Sequence, residues 1–211
     1  LHGAAHLNRH KKGRIIVTEI EHAATINTAK QLADSGFDVV FLAPDATGHI
    51  TPEVLSEALT EDTILLSCQL VNNEIGTVQP VEQLGKLLKA KAPKALFHID
   101  AVQGLCRVRL TPKKWNCDLM SVSGHKIGAP KGIGALYVKK GLRLPPLTFG
   151  GGQERGMRPG TEAVPNIAAF AKACEIRMAH FDEDYAHVQG LADYLKQQVA
   201  AELPDAVING E

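Results

Sequence analysis

Residues 63–100 read TILLSCQLVNNEIGTVQPVEQLGKLLKAKAPKALFHID. The opening, Thr63 to Val71, is a long apolar run. Continuous runs of this kind are expected of strands covered on both faces, as in parallel sheets. Pro80 then opens a helix in which Val81, Leu84, Leu87 and Leu88 recur at helical spacing, and Pro93 marks its end. Ala95 to Ile99 is a second apolar run. A strand, a helix and a strand in that order join two parallel strands through a crossover.

The same alternation extends in both directions. Upstream, Ile15 to Thr18 reads as a strand, and Ala23 to Gly36 as a helix. Ile26, Ala29, Leu32 and Ala33 share one face of that helix, and Gly36 supplies its C-cap. Val39 to Leu42 is the next strand. Thr51 and Pro52 suit the N-cap and first position of a helix that runs through Val54, Leu55, Ala58 and Leu59. Downstream, Leu119 to Val122 and Ala135 to Val138 read as strands, and Leu144 to Phe149 as a further apolar run. From Val164 to Leu203 the pattern is helical throughout, with Pro204 ending it. Ile167, Phe170, Ala171, Cys174 and Met178 form one stripe, and Leu191, Leu195 and Val199 another. These elements predict an α/β fold: a mainly parallel sheet covered by helices on both faces, followed by connecting helices.

Composition excludes several classes. Among 211 residues, 23 Lys and Arg balance 23 Asp and Glu. That neutrality argues against a nucleic-acid binder, which carries a basic excess. No apolar run reaches the length of a membrane span. An apolar share of 45% argues against disorder. The chain starts at Leu1 without Met and stops at Glu211 with no evident end, so it is expected to be a piece of something longer. Cys68, Cys106, Cys117 and Cys174 include no C-x-x-C pair and read as reduced thiols. Leu1 to Arg14 lacks the apolar core of a signal peptide, and a cytoplasmic location follows as the default.

Ligands of open parallel sheets bind beyond the carboxyl ends of the strands. Here those ends deliver Glu19 to His22, Asn72 to Glu74, Asp100 to Gln103, Ser123 to Lys126 and Gly150 to Gly152. Each group has a plain structural use as well. Asp100, Asn72 and Asn73 also suit turns or caps, and Lys126 also suits a solvated surface position. A carboxylate such as Asp100 facing a heterocyclic nitrogen keeps that nitrogen protonated, as an electron-sink cofactor requires. Lys126, beside Gly124 and His125, is a candidate for covalent attachment to a carbonyl. No metal site is expected. His98 and Asp100 are taken to face opposite ways along their strand, which argues against a shared metal ion.

Six motifs carry a family resemblance. They are Glu21-His22, Val71 to Gly76, His98 to Gln103, Ser123 to Lys126, Gly150 to Arg155 and Arg158 to Thr161. Together, and in this order, they resemble the fold-type I pyridoxal-phosphate enzymes, and more narrowly the cysteine desulfurases of the class V aminotransferase group. Several are shared with selenocysteine lyases. The resemblance implies that Lys126 binds pyridoxal 5'-phosphate covalently and moves the substrate Cα proton. It implies that Asp100 pairs with the ring nitrogen, that Gln103 and Asn73 serve the ring oxygen, and that His22 stacks on the ring and, with Lys126, acts catalytically by assisting proton transfers. Ser123 and His125 would bind the phosphate. Thr161 would reach the phosphate of a partner subunit, which implies a homodimer.

The implied reaction converts L-cysteine to L-alanine and leaves sulfur on an enzyme cysteine as a persulfide, for passage to a sulfur-acceptor protein and iron–sulfur cluster assembly. Selenocysteine lysis, another reaction of the class, or a non-catalytic dimerising or sulfur-relay role are the alternatives. Residues 1–162 would form the cofactor-binding large domain, with part of it preceding Leu1. Residues 163–211 would be connecting helices and the start of a small C-terminal domain.

The chain departs from the family pattern in identifiable places. No cysteine matches the family's acceptor, which lies in a Ser-, Gly- and Ala-rich loop. The N-terminal Gly/Thr phosphate segment and the C-terminal substrate-binding arginine have no counterpart either. No nucleophile is therefore assigned, and this chain alone is expected to be inactive in sulfur transfer. Gly128 stands where the family commonly has an aromatic residue, with an expected change in packing near the cofactor.

Overall fold

A computed structural model describes residues 1–209. Gly210 and Glu211, the last two residues of the expected C-terminal unit, lie outside the described residues. The strands are β1 (Arg14–Thr18), β2 (Asp38–Leu42), β3 (Thr63–Gln69), β4 (Leu96–Asp100), β5 (Leu119–Ser123) and β6 (Gly134–Val138). They form one six-stranded sheet in the order β2-β1-β3-β4-β5-β6. All neighbouring pairs are parallel except β5 and β6, which are antiparallel.

Every residue of β3 is buried, as its apolar run demands. The alternation of side chains splits each inner strand between two cores. Ile16, Leu66, Phe97 and Ile99 pack with Leu55, Leu84 and Leu88, from α3 (Pro52–Ala58) and α4 (Val81–Lys91). Ile15, Val17 and Leu65 pack on the other face with Ala29 and Leu32 from α2 (Ala23–Asp34) and with Ala4 and Ala5 from α1 (His2–Leu7). Helices thus cover both faces, and a slip of one residue in β1 or β3 would exchange the two cores.

The ends of the helices follow local chemistry. The Phe37 N–H donates to Leu32 O (3.1 Å) and the Gly36 N–H to Ala33 O (2.8 Å). Gly36 has φ +89°. This is a Schellman ending, which favours the residue type without a Cβ. At α3, Thr51 Oγ1 accepts from the Val54 N–H (3.3 Å), with Pro52 in the first turn.

Some expectations fail. β3 stops at Gln69, and Val71 instead forms an isolated bridge with Val78. Leu144 to Phe149 is not a strand. Pro145 and Pro146 interrupt it, and proline has no N–H to give a sheet ladder. α1 arises in a segment read only as polar and basic, because Ala4 and Ala5 find cover under β3 and α2. The C-terminal helices α5 (Val164–Ala179) and α6 (Phe181–Glu202) form as expected, but only Phe170 of α5 and no residue of α6 is buried. No helix of the described residues is long and apolar enough to cross a membrane.

Candidate active site

Because β1, β3, β4 and β5 run parallel, their carboxyl ends open on one edge of the sheet. A cleft of about 970 Å³ runs along the β4–β6 face and reaches that edge at Asp100, the candidate residue in its lining, beside Thr25, His98, Ser121 and Arg158. His22, Asn73, Gln103, Ser123, His125, Lys126 and Thr161 are not part of the lining. A smaller groove among Leu70, Val78 and Trp115 contains none of the candidate residues.

Asp100 ends β4 and is half-buried. Its Oδ1 accepts from the Val102 N–H at 2.9 Å. Burial pushes its pKa above the usual aspartate value, while that N–H and the nearby His22 ring pull it back. A carboxylate so placed gains by facing a cation. His98, two residues earlier, shares the cleft with Asp100, so the expectation of opposite faces is corrected: residues two apart in a strand face the same way. His98 is held between Ser67 Oγ at Nδ1 (2.8 Å) and Ser121 Oγ at Nε2 (2.9 Å). Burial lowers its pKa to about 3, so it is a neutral hydrogen-bonded strut. Among the described residues no three His, Cys, Asp or Glu side chains gather as a metal site.

His22 is the N-cap of α2, with Nδ1 accepting from the Ala24 N–H at 3.1 Å. The neutral ring therefore carries its proton on Nε2. Its loop is clamped to the end of β3. Glu21 Oε1 accepts from Thr18 Oγ1 (2.7 Å) and from the Gln69 N–H (2.6 Å). Ile20 O accepts from Gln69 Nε2 and from Asn72 Nδ2 (3.0 Å). Asn72 Oδ1 accepts from the N–H groups of Glu74 (2.8 Å) and Ile75 (3.0 Å). Asn72 is thus the folding residue of the Asn pair, and Asn73 is exposed, with Nδ2 on Glu74 Oε1 (2.7 Å).

Beyond β5 the chain turns into a 3-10 helix, Gly124–Ile127. Gly124 is required by close approach: a Cβ there would lie 2.9 Å from Ile133 Cγ2 and 3.0 Å from Ala129 Cβ. Gly128 ends the turn at φ +89°. A Cβ on it would meet nothing within 4 Å, so glycine here answers the turn. Ser123 Oγ and His125 Nδ1 are paired at 2.8 Å. Lys126 is exposed, and its amine makes no ion pair among the described residues. Arg107 was not singled out in the sequence, yet it ties two candidates together. Its guanidinium donates to Lys126 O (2.9 Å) and to Gln103 O (3.2 Å) and Oε1 (3.4 Å).

The structure therefore brings His22 within electrostatic reach of Asp100, links Gln103 to Lys126 through Arg107, and pairs Ser123 with His125. Asn73 stands at the end of β3, and exposed Thr161 lies in the segment before α5. Among the described residues no hydrogen bond ties either of them to another candidate residue, the Asn73 amide bonding Glu74 instead. Burial raises the pKa of three cysteines. Cys68 lies well above the usual thiol value, Cys117 reaches about 12, and Cys106 reaches about 11 with Cys174 beside it. These thiols stay protonated, the reverse of what a nucleophile needs.

Comparison with known proteins decides the family. The aminotransferase class-V family model matches residues 1–211. The chain belongs to that family. It is 43% identical over 208 residues to a cysteine desulfurase of Nostoc sp., covering 99% of this chain and 52% of that protein. It is 41% identical over 210 residues to the cysteine desulfurase IscS of Clostridium botulinum, covering 100% of this chain and 52% of the relative. The structure superposes on a NifS-like protein with a TM-score of 0.91 at 38% identity, covering 95% of this chain and 55% of that one. The DndA structure from Streptomyces lividans gives 0.82 at 40% identity, with 98% and 58% covered. The class-V chain thus spans about half the length of the relatives it matches, and its mostly parallel sheet is the fold of these solved members.

Proposed function

We propose that this chain is the cofactor-holding part of a pyridoxal-phosphate-dependent cysteine desulfurase. The observation that carries the reading is the set of groups at the ends of adjacent strands β4 and β5. It consists of a half-buried Asp100 carboxylate and an amine on Lys126 that is not engaged in an ion pair among the described residues. The donor set suits the cofactor. Asp100 supplies the negative charge that a protonated ring nitrogen needs, and that charge offsets the cost of burying the carboxylate. Ser123, His125 and the turn they begin offer hydrogen-bond donors suited to a phosphate. Gln103 and Asn73 would serve the ring oxygen, and His22 would cover the ring face.

When bound, pyridoxal phosphate supplies an electron sink for the carbanion formed at the substrate Cα. The rest is done by protein groups. Lys126 Nζ holds the cofactor and then takes the Cα proton of L-cysteine. The Arg107 bond to Lys126 O steadies that turn. A cysteine elsewhere in the whole protein takes the substrate sulfur as a persulfide, and L-alanine is released. The raised pKa of Cys68, Cys106 and Cys117 supports an acceptor outside these positions. Residues 163–211 would begin the smaller domain, and Thr161 would serve the partner's phosphate in a homodimer. The unpaired thiols suit a reducing, cytoplasmic compartment.

The full-length protein tests this reading. It should bind pyridoxal phosphate with a visible absorbance band and release alanine from L-cysteine. Lys126→Ala should lose covalent attachment and at least about a hundredfold in rate. An unchanged band and rate in Lys126→Ala would sink the assignment.

A further inference from the structure

Glu21 and His22 are adjacent in sequence but face opposite ways. His22 is exposed beside the cleft, while Glu21 is turned inward and is 8% exposed. The Glu21 carboxyl receives two hydrogen bonds, both from neutral donors and both on Oε1. Its Oε2 is buried and has no hydrogen-bond partner among the described residues. No cation faces it from β3 or β4. The groups that do are the Cys68 thiol and the Asp100 carboxylate. A carboxyl in such a place takes up a proton instead of holding an uncompensated buried charge. Its bonds are nonetheless among those that fasten the loop before α2, beside the two that Ile20 O accepts from Gln69 and Asn72. Without Oε1, the Thr18 hydroxyl and the Gln69 N–H would both be left unpaired in the interior.

We propose that Glu21 is a positioning residue: its buried carboxyl is an uncharged clasp that fixes the β1–α2 loop on the end of β3 and so sets where the His22 ring stands beside Asp100. The link to His22 rests on the reading of the cleft as a cofactor site. The clasp itself does not. Burial, reinforced by Asp100, pushes the Glu21 pKa to about 7 against the opposing bonds from Thr18 and Gln69. Above that pH the clasp gains a charge that nothing nearby compensates, and the loop should loosen. Glutamine keeps an uncharged acceptor whose oxygen takes both bonds, with its amide hydrogens in the place of Oε2, partnerless among the described residues, as its one defect. Leucine fills the volume but accepts nothing.

The test uses the full-length protein as wild type, Glu21→Gln and Glu21→Leu, with Thr18→Val as a milder variant should the leucine protein not fold. Two measurements are made at about pH 6 and about pH 8.5, on either side of the Glu21 titration. The first is amide hydrogen exchange over residues 19–25 without cofactor, corrected for the intrinsic pH effect. The second is the affinity for pyridoxal phosphate read from its absorbance. Wild type should lose about tenfold in loop protection at the higher pH. Glu21→Gln should keep wild-type protection and affinity within about twofold at pH 6 and show no such loss. Glu21→Leu should lose about tenfold in both at either pH, and Thr18→Val less.

A Glu21→Gln protein as impaired as Glu21→Leu would show that the charge is needed and would overturn the proposal. So would a Glu21→Leu or Thr18→Val protein with an unchanged loop. A loosened loop with unchanged affinity would overturn the role toward His22. Failure of the wild type to bind pyridoxal phosphate would overturn the proposed function instead, and the exchange data would still judge the clasp.

Discussion

The sheet and the C-terminal helices use the same apolar code with opposite results. In α4, Leu84 and Leu88 are fully buried against Phe97 and Ile99. In α6, Leu191, Leu195 and Val188 recur at equally regular spacing and remain exposed. The ion pairs divide in the same way. Asp118 is buried at the sheet edge between Lys89 (2.7 Å) and Lys139 (2.9 Å). Asp182 of α6 meets Arg109 at 2.7 Å with both side chains in solvent. A hydrophobic stripe states that a face wants cover, but only the neighbouring elements supply it.

Four measurements would break or sharpen that contrast. The largest effect is expected from paired truncations in this chain. Leu84→Ala should cost about 3 kcal/mol in denaturant unfolding, because it leaves a cavity in a packed core. Leu191→Ala should cost less than about 0.5 kcal/mol. Equal losses would erase the distinction between the two regions.

The next effect is pH-dependent. The folded Glu21 pKa of about 7 lies above its ordinary 4.5, so its contribution is full below the lower value and is lost as pH rises to the upper one. Melts of wild type should show a loss of up to about 3 kcal/mol across that window. Glu21→Gln should flatten this part of the profile, and a persistent slope would assign it to another group.

Asp118 has the opposite sign. Burial raises its pKa, but Lys89, Lys139 and the Phe97 N–H outweigh burial and hold it below the usual aspartate value. Its contribution is present above that ordinary value and disappears on further acidification. Asp118→Asn should cost about 2 kcal/mol at neutral pH. The smallest effect belongs to Asp182→Asn, whose melting temperature should match wild type within error, since exposed pairs contribute little.

The legible parts of the fold were those governed by local chemistry. The apolar run of β3, the Thr51-Pro52 start and the Gly36 stop each rest on residues that touch along the chain. Leu144 to Phe149 is apolar enough for a strand, but Pro145 and Pro146 remove the N–H groups that a ladder needs. α1 escaped because its two alanines signal nothing until β3 and α2 cover them. At the site, the strand-end motifs pointed to His22, Asp100 and Lys126. The residues that hold them were less legible. Gln69 and Asn72 meet Ile20 across about fifty positions, and Arg107 bridges Gln103 to Lys126. Such bonds have no spacing rule in the sequence.

The amino-acid order alone determines the alternation of strand and helix in this chain, the burial of both faces of β3, and which polar groups emerge at the strand ends. The reason is that side-chain period and turn chemistry act over a few residues. Tertiary structure decides the protonation and purpose of those groups. Glu21 is acidic in sequence, yet burial, reinforced by Asp100, favours its neutral form against the bonds from Thr18 and Gln69, and those bonds from separate strands make it a clasp. A charge is set by its surroundings, and the surroundings exist only once the sheet is assembled.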